Sequence, residues 1–168
     1  MRRLVPKTDL ERAAPPNYLF ASGHAKRYNP FGVAALYVAE DAATAGAEWD
    51  RIAAKLGIHL PQVLYTVEAS VSVLDLGDPA VLAALQLTPA IMAEPWEFVA
   101  GPTATQRLGQ AVADQRRFGG IRFPSDATRT RGFAGFNLVL FREAIVSPLF
   151  VAIRDDQGKE VQRWPFPQ

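Results

Sequence analysis

The strongest constraint on this chain is where helical periodicity appears and where it does not. Residues 42–56 place Ala45, Trp49, Ile52 and Leu56 at spacings of four, three and four, which puts one apolar stripe on one side of a helix facing a core. Asp41 stands where an N-cap is needed, and Gly57 where a helix stops. A second helix reads over 103–117, ended by Gly119-Gly120, and Asp78-Pro79 opens a short one over 80–87. Elsewhere the apolar runs are too short for helices. Residues 34–39 read as a buried strand, and 62–76 as one long strand or two short ones. Residues 18–21, 121–123, 136–141 and 149–154 are also strand-like. Residues 160–164 return as a hairpin partner across the turn at 155–158. Residues 23–32 and the proline-broken 88–102 read as loops. Helices cluster in the middle and strands dominate the second half, so the pattern is α+β, a mixed sheet with flanking helices, and not a regular βαβ array.

The length of 168 residues fits one domain. Residues 1–16, charged and ending in Pro15-Pro16, read as a loosely ordered lead-in, and 17–168 as the domain. A chain of this size buries roughly 70% of its unfolded surface, enough to fold without disulfide or metal. It has no cysteine, which removes a disulfide framework, a zinc ribbon and a thiol nucleophile, and is compatible with a cytoplasmic home. The formal net charge is +1, with Lys and Arg scattered, so no basic footprint for nucleic acid is visible. Arg2 and Arg3 are not followed by the continuous apolar core of a signal peptide, and no apolar stretch approaches the ~20 residues of a spanning helix.

Several catalytic motifs are missing. There is no GxxxxGK[ST] loop, no GxGxxG after a strand and no GxSxG elbow. His24 and His59 form no metal pair; they read as loop or surface residues, with His24 near enough to line a pocket. Three segments offer chemistry. Glu48 falls on or beside the apolar stripe of the first helix, where a lone carboxylate is costly to bury. The alternative is a rim residue paired with Arg51 or Arg27. Arg27 lies in a loop with Tyr28, Asn29, Pro30, Phe31 and Gly32. There it offers a planar fork for phosphate or carboxylate, and Tyr37 in the next strand offers a ring to a flat ligand. The alternative is a surface turn with Tyr37 as a core aromatic. Arg122 and Ser125 flank the strand end at Pro124, where Ser125 is either a functional hydroxyl or the cap of the next turn.

Together these segments resemble the RES-domain family, named for its Arg, Glu and Ser. The stretch RYNPFGVAALYVAEDAATAGAEW from Arg27 to Trp49 is similar to the family's first signature. GIRFPSDA is similar to the segment carrying its Ser, here Ser125, and FNLVLF (136–141) to the strand after it. The likeness runs from about residue 18 to 164, while the family's opening strand is not legible in residues 1–17. The resemblance implies an ADP-ribosyltransferase-like α+β fold. It also implies cleavage of the nicotinamide–ribose bond of NAD⁺ as substrate, with water or phosphate as acceptor, no metal and no resident cofactor. Glu48 would stabilise an oxocarbenium-like ribose, Arg27 would hold the diphosphate or a ribose oxygen, and Ser125 would position the nicotinamide side. Tyr37 would pack on the nicotinamide or its ribose, Tyr28 and Asn29 would shape the loop, and Arg122 would add a phosphate contact. Implied too is a toxin silenced by a helix-turn-helix antitoxin, with room for a homo-oligomer inside that complex. Two rivals share the residues: an ADP-ribosyltransferase with a macromolecular or nucleotide acceptor, and a silent nucleotide- or antitoxin-binding module.

Overall fold

The computed structural model describes residues 1–6, 20, 23–97 and 99–166. In chain order its elements are β1 (Arg2–Pro6), β2 (Ala35–Ala39), α1 (Ala42–Leu56), β3 (Gln62–Ser70), β4 (Val73–Asp75), α2 (Pro79–Ala84), α3 (Pro89–Met92), α4 (Ala104–Gln115), β5 (Gly120–Pro124), α5 (Asp126–Arg129), β6 (Phe136–Phe141), β7 (Phe150–Arg154) and β8 (Glu160–Trp164). The strands make one mixed sheet in the order β4-β5-β6-β2-β1-β3-β7-β8, with β4 and β5 its parallel pair. The fold class is α+β, as the pattern of periodicities implies.

One short connection sets the shape of the sheet. Only Val71 and Ser72 lie between β3 and β4, yet four strands separate those two in the sheet. In a flat sheet they would stand ~24 Å apart at ~4.8 Å per neighbour. Three residue steps span at most ~11 Å. The sheet therefore curls until its β4–β5 edge meets the end of β3. At that closure the Gly119 amide donates to the Ser72 carbonyl at 2.8 Å, and a side chain at Gly119 would collide with Val71. The inner face carries Leu36, Val38, Tyr65, Val67, Leu138, Leu140, Val151 and Ile153, closed over by Val71 and Val73. The outer face carries Ala35, Tyr37, Ile121, Phe123, Val139 and Phe141 beneath Val112 and Ala113 of α4. This is the period-two alternation of strands, and it decides which functional side chains can meet.

Three sequence expectations need correction. First, Arg2–Pro6 is no lead-in: β1 pairs with β3 along its whole length and meets β2 at Arg2↔Ala39, deep inside the sheet. Its backbone groups satisfy two neighbours that would otherwise be left open, a long-range demand that two adjacent arginines conceal. Residues 7–16 and most of the expected strand at 18–21 lie outside the described residues; Phe20 is buried in the inner core. Second, the apolar stripe of α1 does not face the core along its length. Ile52 is 42% and Leu56 60% exposed, while Thr44, Ala45, Ala47 and Ala53 are buried. The helix packs through small side chains, Ala53 in its last turn included, while Ile52 and Leu56 turn outward. The caps fall as read: the Asp41 carboxylate accepts from the Thr44 amide at 2.7 Å, and Gly57 ends the helix at φ 65°. Third, α4 ends in a left-handed Arg116, not at Gly119-Gly120. Gly120 serves the sheet, because a Cβ there would stand 2.2 Å from the Val139 carbonyl oxygen. Among the described residues no helix is long and apolar enough to cross a membrane.

Candidate active site

The rotation of α1 turns Glu48 toward the sheet. Its side chain is 20% exposed. Oε1 accepts two hydrogen bonds, from Ser125 Oγ at 2.7 Å and from Asn137 Nδ2 at 2.7 Å. Oε2 accepts from Arg51 Nη2 at 2.8 Å. Ser125 does two jobs. It caps α5 by accepting from the Thr128 amide at 3.2 Å, and it gives its own proton to Glu48. The capping alternative for Ser125 and the Arg51 pairing for Glu48 therefore both hold. The arrangement fixes one carboxylate oxygen with two neutral donors and leaves the other at the rim, where Arg51 is mostly exposed and weakly held.

The Arg27 loop is built around the Tyr37 hydroxyl. That hydroxyl accepts from the Tyr28 amide at 3.0 Å and donates to Asn29 Oδ1 at 3.0 Å. Burial raises the pKa of both Tyr28 and Tyr37 above the ordinary phenol range, so each stays a proton donor. Asn29 returns Nδ2 to the carbonyls of His24 at 2.8 Å and Val33 at 3.1 Å. The turn closes through Lys26 N to Asn29 O at 2.9 Å. The Tyr28 ring packs on Phe123 at 4.5 Å between centroids. These bonds hold the loop in place, and Lys26 Nζ lies 5.3 Å from the centroid of the Tyr37 ring. The Arg27 guanidinium donates to the Met92 carbonyl of α3.

Sheet register relates the two clusters. Tyr37 lies opposite Val139, and Ala39 opposite Asn137. The Tyr37 position and the Glu48-bearing Asn137 position therefore share the outer face, one pleat repeat or ~7 Å apart along the strands. Arg122 does not join them. It pairs across β5–β6 with Leu138, an inner-face residue. There it stacks 3.5 Å over the Phe136 ring and is held by Glu40 at 2.6 Å and Asp75 at 3.0 Å. Two carboxylates are its partners there. One surface groove lies beside Trp49, Ala53, His59 and Arg131, and another beside Met1, Val71 and Val73; neither includes a residue of the two clusters. Converging polar groups mark the site, not depth. Among the described residues no group of three or more His, Asp or Glu is placed to hold a metal ion.

Sequence reasoning missed three contributors. Asn137 is the polar interruption in an otherwise apolar strand, a signal that was there to be read. Gln106, fixed by the capping box of α4, donates Nε2 to the Lys26 carbonyl at 2.8 Å. Gly109 lets α4 touch the Tyr28 backbone directly. No curated protein matches the chain. The model of the RES domain matches residues 1–167, β1 included. That family is known in toxin–antitoxin modules, with an NAD-related toxin role and antitoxin partners. By this match over essentially its whole length, the chain belongs to the RES domain family.

Proposed function

We propose that the protein is an NAD⁺ glycohydrolase toxin acting in the cytoplasm and neutralised by a helix-turn-helix antitoxin. The observation that carries this reading is the Glu48 carboxylate pinned through one oxygen by Ser125 and Asn137. A preorganised anion is what a positively charged ribose transition state requires, and fixing it beforehand avoids reorganisation during the reaction. The C1′–N bond breaks, its electron pair leaves with neutral nicotinamide, and water adds to C1′ and releases a proton. Glu48 Oε2, once clear of Arg51, orients that water. Ser125 positions Glu48, which refines the expectation that it would hold nicotinamide, because its proton is already committed. Arg27 holds the diphosphate and Tyr37 packs on the nicotinamide riboside.

Purified protein incubated with NAD⁺ should release nicotinamide together with ADP-ribose, or with ADP-ribose 1-phosphate when inorganic phosphate is the acceptor. A chelator should leave the rate unchanged. Nicotinamide release that requires an added protein acceptor would move the reading to an ADP-ribosyltransferase. Intact NAD⁺ in every mixture would leave a binding module.

Arg27→Ala is expected to lower kcat/KM by roughly 10- to 100-fold, mainly through KM, as loss of a charge-assisted contact implies. Arg27→Lys should recover part of this, since a point charge replaces the charge but not the planar fork. Wild-type kcat/KM in both variants would make Arg27 a structural tie to Met92 and nothing more.

A further inference from the structure

We infer that Lys26 is a substrate-binding residue that changes partners when ligand enters, yielding the Tyr37 ring to the cationic nicotinamide and turning its ammonium to the substrate's diphosphate. The inference deepens the NAD⁺ reading and rests on it for the identity of the ligand. Lys26 is an exposed residue, but its Nζ folds back to 5.3 Å from the Tyr37 ring centroid, inside cation–π range. Among the described residues no carboxylate forms an ion pair with Lys26 or with Arg27, its neighbour. Arg122, by contrast, is matched twice. Although the residue as a whole is exposed, its Nζ is folded in against the protein; that desolvation first, and then the charge of Arg3, hold the Lys26 pKa below the ordinary lysine range, so the resting position is a poor one for a cation.

The backbone of Lys26 is fixed at both ends, its amide on Asn29 O at 2.9 Å and its carbonyl on Gln106 Nε2 at 2.8 Å. Only the side chain is free to swing, and it swings from a fixed root. NAD⁺ brings both complements of this arrangement. Its pyridinium is a flat cation that competes for the same ring face, where two cations cannot stack together. Its diphosphate is the counter-charge that Lys26 and Arg27 lack. One ligand thus displaces Lys26 and receives it.

The test compares Lys26→Gln and Lys26→Arg with the wild type on two substrates, NAD⁺ and nicotinamide riboside, which has no phosphate. Inorganic pyrophosphate binding is followed by titration calorimetry. Lys26→Gln should raise KM for NAD⁺ roughly tenfold with kcat within about twofold, and should weaken pyrophosphate to a similar extent. Nicotinamide riboside should be used as well as by the wild type, or better, because the ring is vacated. Lys26→Arg should keep most of the NAD⁺ affinity, and all three proteins should melt alike. Equal losses on both substrates, or unchanged pyrophosphate binding, would overturn the inference. If the wild type leaves NAD⁺ intact yet pyrophosphate binding still depends on Lys26, the anion-binding role stands and the glycohydrolase reading falls.

Discussion

Glu48→Gln is expected to lower kcat for nicotinamide release on the order of 10²-fold or more, with little change in substrate binding. The substitution keeps the shape and removes the charge. An amide oxygen turned inward still accepts from Ser125 Oγ and Asn137 Nδ2, so both buried donors keep their acceptor. What the fold loses is the pair with Arg51, whose side chain is 55% exposed and therefore contributes little to stability. The melting temperature should consequently move by no more than about 2–4 °C, the shift that ~1 kcal/mol gives a chain of this size. Glu48→Ala tests the other side of the argument. It strands both donors in a half-buried place, a loss that costs ~1–3 kcal/mol per group, so it should lower both turnover and stability. Expressed without an antitoxin, the Gln variant should spare cellular NAD⁺ while still binding the antitoxin, because its surface is unchanged. Near-normal single-turnover release by the Gln variant would leave Glu48 as a structural tie between α1 and β6, and the proposed chemistry would fall with it.

The parts of this protein that were legible in the sequence are those decided locally. FNLVLF is apolar almost throughout, and β6 has the bounds that the run implies. Asp41 and Asp78 each cap the helix that follows, because capping is a matter of three or four adjacent residues, while Thr103, read as the first residue of its helix, is in fact the cap. The pairing of Glu48 with Ser125 and Asn137 crosses 77 and 89 positions, and no local rule could supply it. Family resemblance brought Glu48 and Ser125 together; Asn137 came only with the structure. Arg122 shows the converse. It sits three residues from Ser125, but strand alternation sends it to the inner face, and its partner Glu40 is 82 positions away. β1 was hidden for a related reason: Arg2 and Arg3 read as a charged tail until β2 and β3 are seen to need a strand between them.

Gly109→Ala is expected to damage both the fold and the site, although Ala is the better helix former by ~1 kcal/mol. A Cβ at Gly109 would stand 1.6 Å from the Tyr28 carbonyl oxygen, 2.7 Å from the carbonyl carbon and 3.1 Å from Phe141 Cζ. The first two are backbone atoms and cannot rotate aside, so α4 and the Arg27 loop must separate by roughly 1.5–2 Å to restore an ordinary contact. If α4 moves, Val112 and Ala113 leave the outer-face core that they share with Phe141. If the loop moves, the Tyr28 amide is drawn from the Tyr37 hydroxyl, and Arg27 and Lys26 shift with it. Overpacking of this kind costs ~1–3 kcal/mol. Because no side chain can yield, the upper part of that range should exceed the propensity gain and lower the melting temperature by about 5 °C. A displacement of ~1 Å in a positioning group can cost ~10²-fold in rate, so kcat/KM should fall further than stability alone would explain. Gly46→Ala is the matched control. It also replaces a helical glycine, in α1, but nothing lies within 4 Å of the new methyl group. It should hold or raise the melting temperature. If Gly109→Ala behaves as Gly46→Ala does in the same thermal scan, the close approach of α4 to the Tyr28 backbone does not hold the loop, and the site must be positioned by Gln106 and Tyr37 alone.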